Sequence, residues 1–201
     1  MHADFHSPPF LSEASGDENS LVSLGVQTDE ATLVRETLDG DARAFEAIVH
    51  MHSRRVFNFI YQMTRQRQDA EDLTQQTFIK AFRNIQRFDT SRPLINWLLT
   101  IARRTALNHF RSWKKWEQMP EDTPSTGPSP AHNVEQQDRA DDLWARARRV
   151  LSQREFEVLW LRFAEELSTE ETARVAGLTK VHVKVLVFRA RRQLLKIEKS
   201  S

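Results

Sequence analysis

Between residues 29 and 196 the apolar side chains recur at intervals of three and four, and only one long stretch interrupts them. That spacing lines side chains along one face of an α-helix, whereas a half-buried strand needs strict alternation. Phe45, Ile48, Val49, Val56, Phe57, Phe59 and Ile60 form one such stripe. Ala70, Leu73, Phe78, Ala81, Phe82 and Ile85 form another, predicted to be buried. With 5 Gly and 7 Pro in 201 residues, no period-two runs of Val, Ile and Thr stand out, which argues against a large sheet. The expected class is all-α.

The interruption is "MPEDTPSTGPSPAHN", residues 119–133, with four of the prolines and no periodicity. Such composition marks a linker. The expected organisation is a disordered, solubilising N-terminal tail over residues 1–28 and a helical domain over 29–116. A flexible linker over 117–133 then leads to a second small helical domain over 134–199.

In the first domain Gly40 is a natural helix stop and Asp41 a natural cap for the next helix. A helix over 69–83 leaves Asp72, Gln75, Gln76, Ile79, Lys80 and Arg83 facing outward. Pro93 disfavours helical geometry at Arg92, so "DTSRPL" breaks the chain before a further helix over 95–116. There Leu98, Ile101, Ala102, Ala106 and Phe110 are expected inside, and Arg104, Asn108, Arg111 and Lys115 form a basic stripe on the other side.

In the second domain Ser152 caps a helix, and Ser168 with Glu171 three residues on makes a capping box. Ala173 and Ala176 permit close helix contact, Gly177 suits a left-handed turn, and Thr179 caps the next helix. This pattern predicts a helix-turn-helix whose second helix offers Lys184, Arg189, Arg191 and Arg192 to phosphates or base edges.

The net charge of +1 conceals strong segregation. The first thirty residues contain acids but no Lys or Arg, and residues 117–142 are mostly acidic. Residues 97–116 carry Arg103, Arg104, Arg111, Lys114 and Lys115 without an acid, and in 180–199 only Glu198 opposes the basic side chains. Two basic helices on either side of an acidic connector predict two contacts with one polyanion.

The chain contains no cysteine, which excludes disulfides, thiolate zinc sites and a cysteine nucleophile. A Gly-rich phosphate loop, an "HExxH" and a nucleophile elbow are also missing. His50 and His52 diverge on a helix and are expected at the surface. Glu165, Glu166, Glu170 and Glu171 fall at helix ends, where the helix dipole suffices to explain them. No catalytic residue, metal site or cofactor is expected. "MHADFHSPPF" lacks the basic and apolar pattern of a signal peptide, and "VFNFIY" is too short to span a bilayer. A soluble, cytoplasmic protein without membrane insertion is expected.

"DAEDLTQQTFIKAFRNIQRFD" followed by "NWLLTIARRTALNHFR" resembles the second conserved domain of bacterial extracytoplasmic-function (ECF) sigma factors. "LSQREFEVLWLRFAEELSTEETARVAGLTKVHVKVLVFRARRQL" resembles their fourth. "ATLVRETLDGDARAFEAIVHMHSRRVFNFI" is similar to that family's opening helices. The resemblance implies that Asp72, Gln75, Gln76, Ile79, Lys80 and Arg83 dock on the β′ clamp helices of core RNA polymerase. It implies recognition of the minus-ten element by Arg87, Phe88, Asn96, Trp97, Arg103, Arg104, Asn108, Arg111 and Lys115, with an unstacked base captured in the loop over 86–96. The minus-thirty-five duplex is left to Thr179, Lys180, His182, Lys184, Val185, Leu186, Arg189 and Arg192. Promoter DNA, core polymerase and an anti-sigma factor are the implied partners.

The recognition helix departs from that resemblance. Where the family commonly reads "SVGTVKSRLHRAR", this chain reads "TKVHVKVLVFRAR". Val183, Val187, Ala190 and Leu194 form the expected core face. Val185, Leu186 and Phe188 stand in place of polar or basic residues, and Val181, Val185 and Phe188 share the opposite side. That patch is open to three uses: thymine methyl groups, the other domain or an anti-sigma factor, or a dimer contact. A protein contact in at least one state is expected, because an arginine-type contact is lost at Leu186. Two other readings of the chain remain: a stand-alone helix-turn-helix regulator, since "LSQREFEVL" also resembles response-regulator output domains, and a degenerate relative acting as a protein-only adaptor.

Overall fold

The computed structural model describes residues 29–117 and 139–198; the side chains of residues 113–117, 139–142 and 197–198 are outside that description. The expected tail, the linker, the start of the second domain and the Lys115 side chain therefore lie outside the described residues. Eight α-helices and no strand occur among the described residues. They are α1 Glu30–Leu38, α2 Ala42–Thr64, α3 Arg67–Asn84, α4 Leu94–Glu117, α5 Arg139–Val150, α6 Gln153–Phe163, α7 Thr169–Ala176 and α8 Lys180–Glu198. Backbone contacts divide the described residues into two compact units, with the boundary between Ile48 and Val49.

In the first unit, α1 buries Leu33 and Val34, and the Thr37 hydroxyl donates to the Leu33 carbonyl at 2.7 Å. Gly40 stops the helix at φ +99°, and the Asp41 carboxylate accepts the Arg43 amide at 2.9 Å. Both match the expected stop and cap.

In the second unit, α3 packs along α4, and α7 packs on α4 as well. Leu98, Leu99, Ala102 and Ala106 are all fully buried and fall within about 100° of one another, a single inward stripe. Thr74 and Thr77 are buried in α3 because their hydroxyls donate back to Ala70 and Leu73 carbonyls at 2.6 and 2.7 Å. Phe82, expected inside, is instead 48% exposed beside the outward Ile79. Ile101 and Phe110 are only half-buried. His52, expected at the surface, is 4% exposed: it projects from the inner side of α2, which also buries Val56 and Phe59.

Helices α5 to α8 form a lobe around Ala147, Leu151, Phe156, Leu159 and Ala190. Trp144 lies 4.9 Å from Trp160 and 5.7 Å from Phe156 between ring centroids, within the range of favourable aromatic contact. Capping boxes start both α6, through Ser152 and Glu155, and α7, through Ser168 and Glu171. Each satisfies two amide donors that the first turn would otherwise leave unpaired. Gly177 ends α7 in the left-handed region at φ +63°, and the Thr179 hydroxyl accepts the His182 amide at 3.2 Å to start α8.

Candidate nucleic-acid interface

Three surfaces carry the residues expected to function. On α3, Asp72, Gln75, Gln76, Ile79 and Arg83 are exposed, and Phe82 enlarges their apolar centre. Lys80 departs from this set: it is half-buried and its ammonium donates to the Thr105 hydroxyl of α4 at 3.1 Å.

The second surface joins the turn before α4 to that helix. Asp89 accepts the Ser91 hydroxyl at 2.6 Å and pairs with Arg92 at 2.9 Å, which orders the turn ahead of Pro93. The Ser91 hydroxyl chiefly, then its amide, holds the Asp89 carboxyl below its ordinary range. Half-buried Phe88 and Trp97 meet at 5.3 Å between centroids, so two of the residues expected around an unstacked base are neighbours. Arg87, Arg104, Asn108 and Arg111 are exposed.

Asn96 and Arg103 are not open in the same way. The Asn96 amide donates to the Glu171 carboxylate of α7 at 2.7 Å. The Arg103 guanidinium pairs with Glu157 of α6, and both side chains are nearly buried. Arg55 of α2 donates to Glu165 at 2.9 Å, and the same carboxylate accepts the Trp160 indole at 3.3 Å. A cavity of about 140 Å³ beside the Arg103–Glu157 pair is lined by Phe59, Met63, Leu107, Phe156 and Trp160.

These acids revise the sequence expectation. Glu165 and Glu171 do more than oppose a helix dipole, because each also receives a donor from the preceding lobe. Glu157 was not singled out, although an acid inside the apolar run "FEVLWL" is a signal: a buried carboxylate requires a partner.

On α8, Lys180, His182, Lys184, Arg189 and Arg192 are exposed, and Lys180 donates to Glu170 at 2.6 Å. Thr179 is exposed but serves as the cap described above. Leu186 corrects the expectation that it faces DNA. It is 6% exposed and turns inward with Val183 and Ala190, because positions three and four apart share a helix face. Val187 and Leu194, expected in that core, are half-buried at its margin. Val181, Val185 and Phe188 are 71%, 37% and 66% exposed.

Among the described residues no group of His, Asp and Glu is arranged to hold a metal ion, and no helix is long and apolar enough to cross a membrane.

Residues 48–117 match the family described as Sigma-70 region 2, and residues 144–194 that described as Sigma-70, region 4. The ECF RNA polymerase sigma factor BldN of Streptomyces coelicolor is 34% identical over 170 residues, which cover 82% of this chain and 64% of BldN. The ECF RNA polymerase sigma factor SigM of Bacillus subtilis is 29% identical over 154 residues, 74% of this chain and 91% of SigM. In fold, the chain is similar to CnrH solved in complex with the cytosolic domain of CnrY. The TM-score is 0.61 at 23% identity, covering 86% of this chain and 98% of that one.

Proposed function

Because the chain belongs to the ECF sigma factors of bacterial RNA polymerase, we propose that it directs the polymerase to specific promoters and assists their melting in the cytoplasm. It supplies no catalytic chemistry of its own. The observation that carries this reading is the ordered pair of matches to sigma regions 2 and 4 on one chain, each ending in an exposed basic helix surface. A stand-alone regulator would leave the region 2 surface without a purpose.

In this reading the α3 face, with Ile79 and Phe82 as its apolar centre, docks on the polymerase clamp helices. Phe88 and Trp97 offer a shared aromatic surface to an unstacked minus-ten base, and Arg104 and Arg111 contact phosphates. Helix α8 enters the major groove of the minus-thirty-five duplex. An anti-sigma factor is the expected regulatory partner. Asn96 and Arg103 are engaged by Glu171 and Glu157, so their use on DNA requires those contacts to be exchanged.

The test is transcription in vitro with purified core polymerase on genomic fragments. Initiation at defined start sites that depend on this chain is the expected result. Tight core binding without promoter-directed initiation would favour the protein-only adaptor instead.

A further inference from the structure

Helix α8 presents an apolar strip where a groove-reading helix ordinarily presents polar groups. At about 100° per residue, Val181, Val185 and Phe188 fall within roughly 60° of one another and nearly opposite Val183, Leu186 and Ala190. The burial pattern agrees, with the second set inside the lobe and the first exposed. Lys184 lies on one flank of the strip and Arg189 on the other, both exposed, while Arg192 continues its line. Arg191 turns away to cover the Phe163 ring at 5.0 Å.

This cross-section, apolar along the middle and cationic on both sides, matches the major groove of DNA. The groove has phosphates on its two walls, and thymine presents a C5 methyl group on its floor. A second copy of this chain would bring the two cationic flanks together, which charge repulsion opposes. Leu186 points into the lobe, so no phosphate-reaching side chain is missing from the exposed face at that position. The reason for expecting a protein contact there is thereby removed.

We propose that Val181, Val185 and Phe188 are specificity-determining residues that select thymine methyl groups in the upstream promoter duplex, with Lys184 and Arg189 holding the backbone on either side. The proposal rests on the sigma factor reading and names the base feature that its recognition helix prefers. It predicts upstream elements with thymines at the positions facing these three side chains, on either strand.

Replacing thymine by deoxyuridine removes one methyl group and keeps every hydrogen-bonding atom of the base. The holoenzyme first selects upstream duplexes from a randomised pool. Its affinity is then measured on the selected sequence with each thymine replaced in turn. Loss of a buried methyl predicts about fourfold weaker binding at each contacted position, the ratio equivalent to about 0.8 kcal/mol. Val185→Ser and Phe188→Ser holoenzymes are expected to bind the thymine and deoxyuridine duplexes equally at the positions those side chains face. Both side chains are exposed, and a melting curve for each variant verifies that the lobe remains folded.

Equal affinity of the unaltered holoenzyme for both duplexes, with promoter-directed initiation intact, overturns this inference and leaves the sigma factor reading standing. Discrimination that persists in both variants overturns the assignment to Val185 and Phe188. Variants that keep full discrimination but lose binding to an acidic amphipathic peptide would place the strip in a protein contact. Absence of promoter-directed initiation removes the sigma factor reading itself.

Discussion

Gly177 shows how much one backbone position carries. At φ +63° an L-residue pays a steric cost, yet the space beside it is ordinary: an added Cβ would lie 3.7 Å from the Arg103 guanidinium. Gly177→Ala is therefore expected to destabilise the protein by about 1 kcal/mol through the backbone alone, read as a shifted urea midpoint with unchanged slope. At Glu171 the cause is charge. Hydrogen bonds from the Ser168 hydroxyl and amide, with a further one from Asn96, hold its carboxyl below the ordinary glutamate range. A carboxyl lowered by folding stabilises the native state above its unfolded pKa, and that contribution is lost as the pH falls through the lowered value. Glu171→Gln should thus melt earlier than the unaltered protein at neutral pH, by about 0.5 kcal/mol, and the two should converge under acid conditions. Melting curves across pH 3–7 check this. The Gly177 turn, the Ser152 cap and the Ser168–Glu171 capping box were legible in the sequence, because each is set by residues within three or four positions. The Asn96 contact was not legible, because its partner lies on α7.

At the scale of the element, α8 separates a packed face from an exposed one on a single helix. Leu186→Ala is expected to cost about 2–4 kcal/mol as a core truncation, whereas Phe188→Ala should stay within about 0.5 kcal/mol because its ring is mostly exposed. Paired urea titrations distinguish them. Similar effects from both would contradict the assigned helix phase. The sequence pattern placed Val183 and Ala190 correctly but misassigned Leu186, since a run with apolar residues on both sides gives no unique phase. On α4, Arg104→Ala or Arg111→Ala should weaken promoter binding across sequences. Each should also reduce the slope of log affinity against log salt by about one if it contacts a phosphate. An unchanged slope would remove that arginine from the DNA contact.

Across the second unit, three acids of the C-terminal lobe, Glu157, Glu165 and Glu171, hold Arg103, Arg55 and Asn96 of the preceding helices. Replacing Glu157 by Gln keeps the shape and leaves the nearly buried Arg103 charge without its counter-ion, an arrangement disfavoured by about 3 kcal/mol. The cavity beside the pair means that less packing opposes separation there. The expected result is an opened arrangement. Because the chain has no native cysteine, dyes attached at Gln86→Cys and Arg146→Cys can report the distance by energy transfer. A longer distance with tighter promoter binding is predicted for Glu157→Gln. Identical distance and affinity would show that this pair does not govern access to Arg103.

The sequence alone determined the helical class, the caps, the turn between α7 and α8 and the two basic helices, because periodicity, capping and charge act over a few residues. Its resemblance to a family supplied the roles expected of those helices. Only the tertiary structure decided that Asn96 and Arg103 are engaged by acids distant in the chain, that Phe82 is exposed, and that Leu186 belongs to the core. Those outcomes depend on which face of each helix another element covers. Local periodicity defines the faces, but the packing of distant helices chooses among them.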